Sequence, residues 1–229
     1  MEHLPSVNVL TLRADRPHPQ AVFYSVGIRP FIDGWDVLEE IHPGGDASCR
    51  QGMWFGPPET WPLWAAEEPA RVELSNNDCV TDCCGGVFVT IRRQGDRVVW
   101  SGWENTDDIR VPLPAEAEFD AVQYDAELAR VVADHSWEEP VDAAARLLAQ
   151  GITDSGWYER WNCLPLRQGI NVSGRGESSC VSMYFLTGPD SGSRGYTMQV
   201  SAHEPVQDQV RRFVEEITAT DPRKTAQGH

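Results

Sequence analysis

Apolar and polar side chains alternate over residues 86–92 and 97–103, which are joined by Gln94-Gly95-Asp96. A period of two lays one face of a strand on a core, and a glycine between two such runs closes a hairpin. Val87, Val89 and Ile91 then face one way, and Phe88 and Thr90 the other. The same pattern predicts strands over 7–12 and 21–28, separated by Pro17 and Pro19, and another starting at Arg71. A meander of three more is expected over 169–173, 180–186 and 196–201. Residues 31–41 fit a strand or a short amphipathic piece, and Ile32-Asp33-Gly34-Trp35 carries a turn signal.

Three stretches change to a helical period. Tyr124, Leu128, Val131 and Val132 form one apolar stripe, and Trp137, Val141, Ala144, Ala145 and Leu148 a second. The second helix can start from a Ser136–Glu139 capping box or from Pro140 at its first position, with Gly151 as terminator. Val206, Val210, Phe213, Val214 and Ile217 make the third stripe, and with the 86–103 hairpin it should form the core. Residues 220–229 read as a polar tail. Strands, then helices, then strands and a helix predict an α+β fold with largely antiparallel sheet and about three helices. The 229 residues make a single domain, or two lobes with a seam near 152–157.

Residues 42–69 break both periods. Their prolines and glycines exclude a regular helix or a central strand, and they carry Trp54, Trp61 and Trp64. A loop this long in a compact domain is often functional. Its indoles suit an interaction surface, or they plug the loop onto a sheet.

Composition narrows the partners. Thirty-five acidic and nineteen basic residues give a net charge of −16, which repels phosphate backbones and anionic bilayers. Nucleic acid and membrane are therefore not expected as partners. Neither a signal-peptide pattern nor an 18-residue apolar run occurs in this sequence, so a cytoplasmic location is expected, with the six cysteines as thiols or metal ligands. Residues 104–142 concentrate the charge: twelve carboxylates, among them Asp107, Asp108, Glu116 and Glu118, face only Arg110 and Arg130 within the segment. Such a block is a solvated face or a docking surface for a basic protein partner.

Candidate chemistry is sparse. Cys79, Cys83 and Cys84 crowd the turn before the hairpin. Thiolates on a glycine turn begin many zinc knuckles, but a structural zinc takes four ligands. The fourth would come from Cys49, Cys163, Cys180 or a histidine such as His42. No phosphate loop, dinucleotide fingerprint, serine elbow or His-Glu-x-x-His motif is present.

Several segments carry a resemblance. Cys84-Gly85, the run Ile91-Arg92-Arg93 through Gly95-Asp96 to Val98-Val99-Trp100-Ser101, Phe119-Asp120-Ala121, Tyr124-Asp125-Ala126-Glu127, Trp137 with Ala144, Arg146, Leu147 and Leu148, and Thr220-Asp221-Pro222-Arg223 together resemble an uncharacterised bacterial family, mostly actinobacterial. The likeness spans roughly residues 70–223. Family members carry a Cys-x-Cys before a Gly-Cys-Gly; Asn77 stands at the first of those cysteines and Cys83 at a glycine. The resemblance implies no activity.

The reading that results is a cytoplasmic, non-enzymatic, protein-binding protein, immunity-like or accessory, acting through an acidic face. A small zinc-binding accessory protein and an enzyme with a dispersed site under the 42–69 loop are the alternatives.

Overall fold

The computed structural model describes residues 7–16, 25–77, 85–107 and 110–228. These fall into two compact units, one from 7–16 and 26–134, the other from Ser25 and 135–228. The division falls at Asp134–His135 and not near 152–157, because Ile152 and Trp157 are buried inside the second unit.

In the first unit β1 (Leu10–Asp15), β2 (Gly27–Ile32) and β3 (Trp35–Asp36) form an antiparallel sheet in that order, followed by the short helix α1 (Val37–Ile41). A second antiparallel sheet runs β4 (Asp46–Ala47), β5 (Ala70–Asn76), β6 (Gly86–Gln94), β7 (Arg97–Asn105), β8 (Ala117–Asp120) in spatial order. Helix α2 (Ala121–Ala133) starts where Asp120 accepts from the backbone N–H groups of Val122 and Gln123. The expected hairpin is β6–β7, with Val87, Val89 and Ile91 fully buried. Trp100 sits at the centre of the core, its ring 5.6 Å from Phe119 and 5.8 Å from Trp103. The first strand lies three residues later than its alternation suggests. Part of the expected 21–28 strand, with Pro17 and Pro19, lies outside the described residues.

The second unit holds α3 (Pro140–Asp154), α4 (Trp157–Trp161) and α5 (Val206–Thr218) with an antiparallel sheet ordered β12 (Gln227–Gly228), β11 (Ser193–Gln199), β10 (Cys180–Leu186), β9 (Leu164–Ser173). Helix α3 begins at Pro140, and its capping box is Glu139 with Asp142. Gly151 does not end it. A Cβ there would lie 3.0 Å from Val214, so the glycine admits α5 instead. The stretch from 220 is not a tail: Asp221 caps α6 (Pro222–Thr225), Pro222 and Ala226 are buried, and β12 adds a fourth strand to the meander. The final helix and the hairpin lie in different units, so they share no core. Val210 and Ile217 are buried, whereas Phe213 and Val214 are only partly covered. No helix among the described residues is long and apolar enough to cross a membrane.

Candidate functional site

The 42–69 segment is fixed to the core of its unit. Tyr124 donates to the Leu63 carbonyl at 2.6 Å, and Arg93 donates to the carbonyls of Ala65 and Ala66. Trp54 is buried and gives its indole N–H to the Cys49 carbonyl. Trp61 and Trp64 are half-buried against the same core, Trp61 with its ring 6.0 Å from Trp54 and Trp64 beneath the Arg93 guanidinium. These three indoles plug the loop rather than present an open face.

The acidic block does not form one face either. Its residues divide between the two units, and arginines outside the block answer six of the twelve. Arg71 pairs with Glu104, Arg93 with Asp125 and Arg97 with Asp120. Arg146 pairs with Glu138, and Arg175 with Glu139 and Asp142. Asp107 is engaged by His42 and Asn77. Asp108 lies outside the described residues. Glu116 and Glu118 take part in no ion pair among the described residues.

The backbone of Glu118 is linked through Asn8 to a turn with an exposed indole. Asp33 and Gly34 both take positive φ, 53° and 83°, so the two-residue turn between β2 and β3 is the primed type that suits a tight hairpin. The turn is tied to the start of β1. Asp33 accepts from the Val9 N–H at 2.8 Å and the Asn8 amide at 2.6 Å, and its own N–H donates to the Val9 carbonyl. Asn8 in turn clasps β8, its N–H donating to the Glu118 carbonyl and its side-chain oxygen accepting from the Glu118 N–H. Trp35 stands at the end of this turn 69 % exposed, with Val9 at 51 %. Val122 is also exposed, one residue before Gln123, whose amide donates to the Leu10 carbonyl. The sequence signals this turn at Ile32-Asp33-Gly34-Trp35 but not the exposure of its indole, because β3 has only two residues.

A second cluster lies inside the same unit. His42 closes α1 and is fully buried. Its Nδ1 is 2.8 Å from the Ser75 hydroxyl on β5, and its Nε2 is 3.3 Å from an Asp107 oxygen. Asn105 at the end of β7 joins the two sides: its amide donates to the Ile41 carbonyl at 2.6 Å, and its oxygen accepts from the Asp107 N–H at 2.9 Å. Cys79, Cys83 and Cys84 lie outside the described residues. Among those described, no three His, Cys, Asp or Glu side chains gather as a metal site. Cys163 is buried, and burial pushes its thiol pKa up. Ser191 spends its hydroxyl within its own turn, accepting from Thr187 N–H and donating to Gly188 carbonyl.

No protein-family model, curated protein or solved structure matches this chain.

Proposed function

We propose that the protein acts by binding a basic protein partner in the cytoplasm, through Trp35 and its turn residue Asp33 together with Glu116 and Glu118. The observation that carries this reading is Trp35: a large indole, 69 % exposed, directly after a turn locked by three hydrogen bonds to Asn8 and Val9. Tryptophan is prominent among residues that dominate binding energy, and a pre-positioned ring loses little entropy on docking. Glu116 and Glu118, which take part in no ion pair among the described residues, would supply electrostatic steering and choice of partner. The net charge of −16 disfavours a nucleic acid in that role.

Photo-crosslinking tests the reading. A photoreactive residue is placed at Trp35, and for comparison at exposed Glu216 in the second unit. Position 35 is expected to give a discrete adduct with a basic protein in the native host. That adduct should be absent from position 216 and lost when Glu118→Lys is added. Identical adducts from both positions, or none from position 35, would overturn it.

A further inference from the structure

We propose that Arg29 and Asp36 are positioning residues for Trp35, fixing the direction in which its indole is presented; the inference rests on the docking reading above. Trp35 lies in β3, a strand of two residues. Two cross-strand pairs hold it to β2, Ile32 with Trp35 and Phe31 with Asp36. So short a return is marginal by itself in water. Its order has to come from side chains on either side of the indole.

Asp33, two residues before Trp35, supplies one anchor by accepting from the Asn8 amide and the Val9 N–H. Asp36, the residue after it, supplies the other. One oxygen of its carboxylate accepts from Arg29 Nε at 2.6 Å. The second accepts from the backbone N–H groups of Leu38 and Glu39, at 3.1 Å each. The carboxylate is thus the N-cap of α1 and the counter-charge of an arginine at once. Helix α1 is itself seated in the core through Val37, Leu38 and Ile41.

Arg29 is the fixed point. Its side chain is only 11 % exposed. Its guanidinium also reaches the Gly45 carbonyl at 3.4 Å, Glu39 at 3.3 Å and Asp15 at 3.5 Å. A planar guanidinium with several partners is held in one orientation, and bonds between ionised groups are the strong ones. Successive side chains of a strand point to opposite faces. With Asp36 drawn to Arg29 on one face, Trp35 leaves on the other, the face of Ile32, which packs against the core. The partner meets a preformed anchor, so less ordering entropy opposes docking.

The test is nitrogen NMR relaxation of the full chain, read at the Trp35 backbone amide and its indole N–H. Wild type should give a backbone order parameter of about 0.85, the rigid range. Asp36→Asn keeps the cap, for which asparagine and aspartate are equivalent. Its neutral amide cannot also accept from Arg29 while its oxygen caps the helix. In that variant the Trp35 value should fall below about 0.6, the flexible range, and the indole N–H should loosen with it. The Leu38 and Glu39 amides and all of β1 should keep their wild-type values. Arg29→Gln should have the same local effect. A rigid Trp35 in either folded variant, or a mobile Trp35 in wild type, would overturn the proposal. So would a uniform loosening of β1, β2 and α1, the mark of general support for the sheet. The measurement needs no partner, so its failure and the failure of the docking reading are separate results.

Discussion

Burial sets the ionisation of two tyrosines. Tyr124 lies wholly inside the first unit, accepting from the Trp100 indole at 3.2 Å and donating to the Leu63 carbonyl. Desolvation drives its pKa far above the usual tyrosine value, and desolvation pushes Tyr158 up to about 12. The fold therefore holds the neutral phenols. That stabilisation is complete below an unfolded pKa of about 10 and disappears as pH rises through the folded values. Ultraviolet titration should show Tyr124 and Tyr158 ionising only together with the loss of native circular dichroism. All five tyrosines titrating near pH 10, a range set by the free side chain, with native dichroism intact would contradict this. At this scale the sequence is informative about which residues are apolar but less so about how deeply they lie. Phe213 sits on a clean helical stripe yet is only half-covered, because the stripe on α5 is wider than the strip that meets α3. The sequence does not show that His42 is buried beside Ser75 on β5 and Asp107 just after β7, because they lie 33 and 65 residues away in sequence.

Elements are held by contacts whose partners lie far apart in sequence. Strand β1 pairs with β2 on one side. On its other side, Leu12 gives its N–H to Glu127 at 2.6 Å and receives a bond from Arg130 at its carbonyl. Glu127 also binds the Arg130 guanidinium at 2.7 Å. The pair on α2 thus takes the place of a neighbouring strand and satisfies an edge that would otherwise be open. Glu127→Ala should cost about 1–3 kcal/mol, the penalty of a buried donor without its acceptor, whereas Glu127→Gln keeps an acceptor and should cost less. Urea unfolding measures both; equal losses would mean that charge, not the Leu12 bond, is the stabilising part. The periods of two and 3.6 residues revealed β6, β7, α2 and α5 because each is long and buries one face. They left 31–41 open between a strand and the short amphipathic piece that is α1, and they missed β3 and β4, too short to show a period, and the order after Thr220, where Asp221 capping and two strand residues decide the structure.

For the whole molecule, charge counted along the chain misled where charge in space did not. Residues 104–142 look unbalanced because Arg71, Arg93, Arg97, Arg146 and Arg175, five of the residues that answer their carboxylates, stand elsewhere in the sequence or serve a different helix turn. What survives of the acidic face is local: Glu116 and Glu118, which take part in no ion pair among the described residues. The fold class was legible, since alternating and helical periods are properties of long elements. The surface was not, because it is assembled from β1, the β2–β3 turn and β8, three pieces that only the folded backbone brings together.

The central claim is that this surface binds a basic partner, and titration calorimetry of the crosslinked partner tests it most directly. Wild type is compared with Trp35→Ala and with Glu116→Lys plus Glu118→Lys, at low and at physiological salt. Trp35→Ala should weaken binding by about 2 kcal/mol or more, the scale of a hot-spot residue. The charge reversal should weaken it most at low salt, where screening is least. Unchanged affinity in both variants, with the fold intact, would contradict the account.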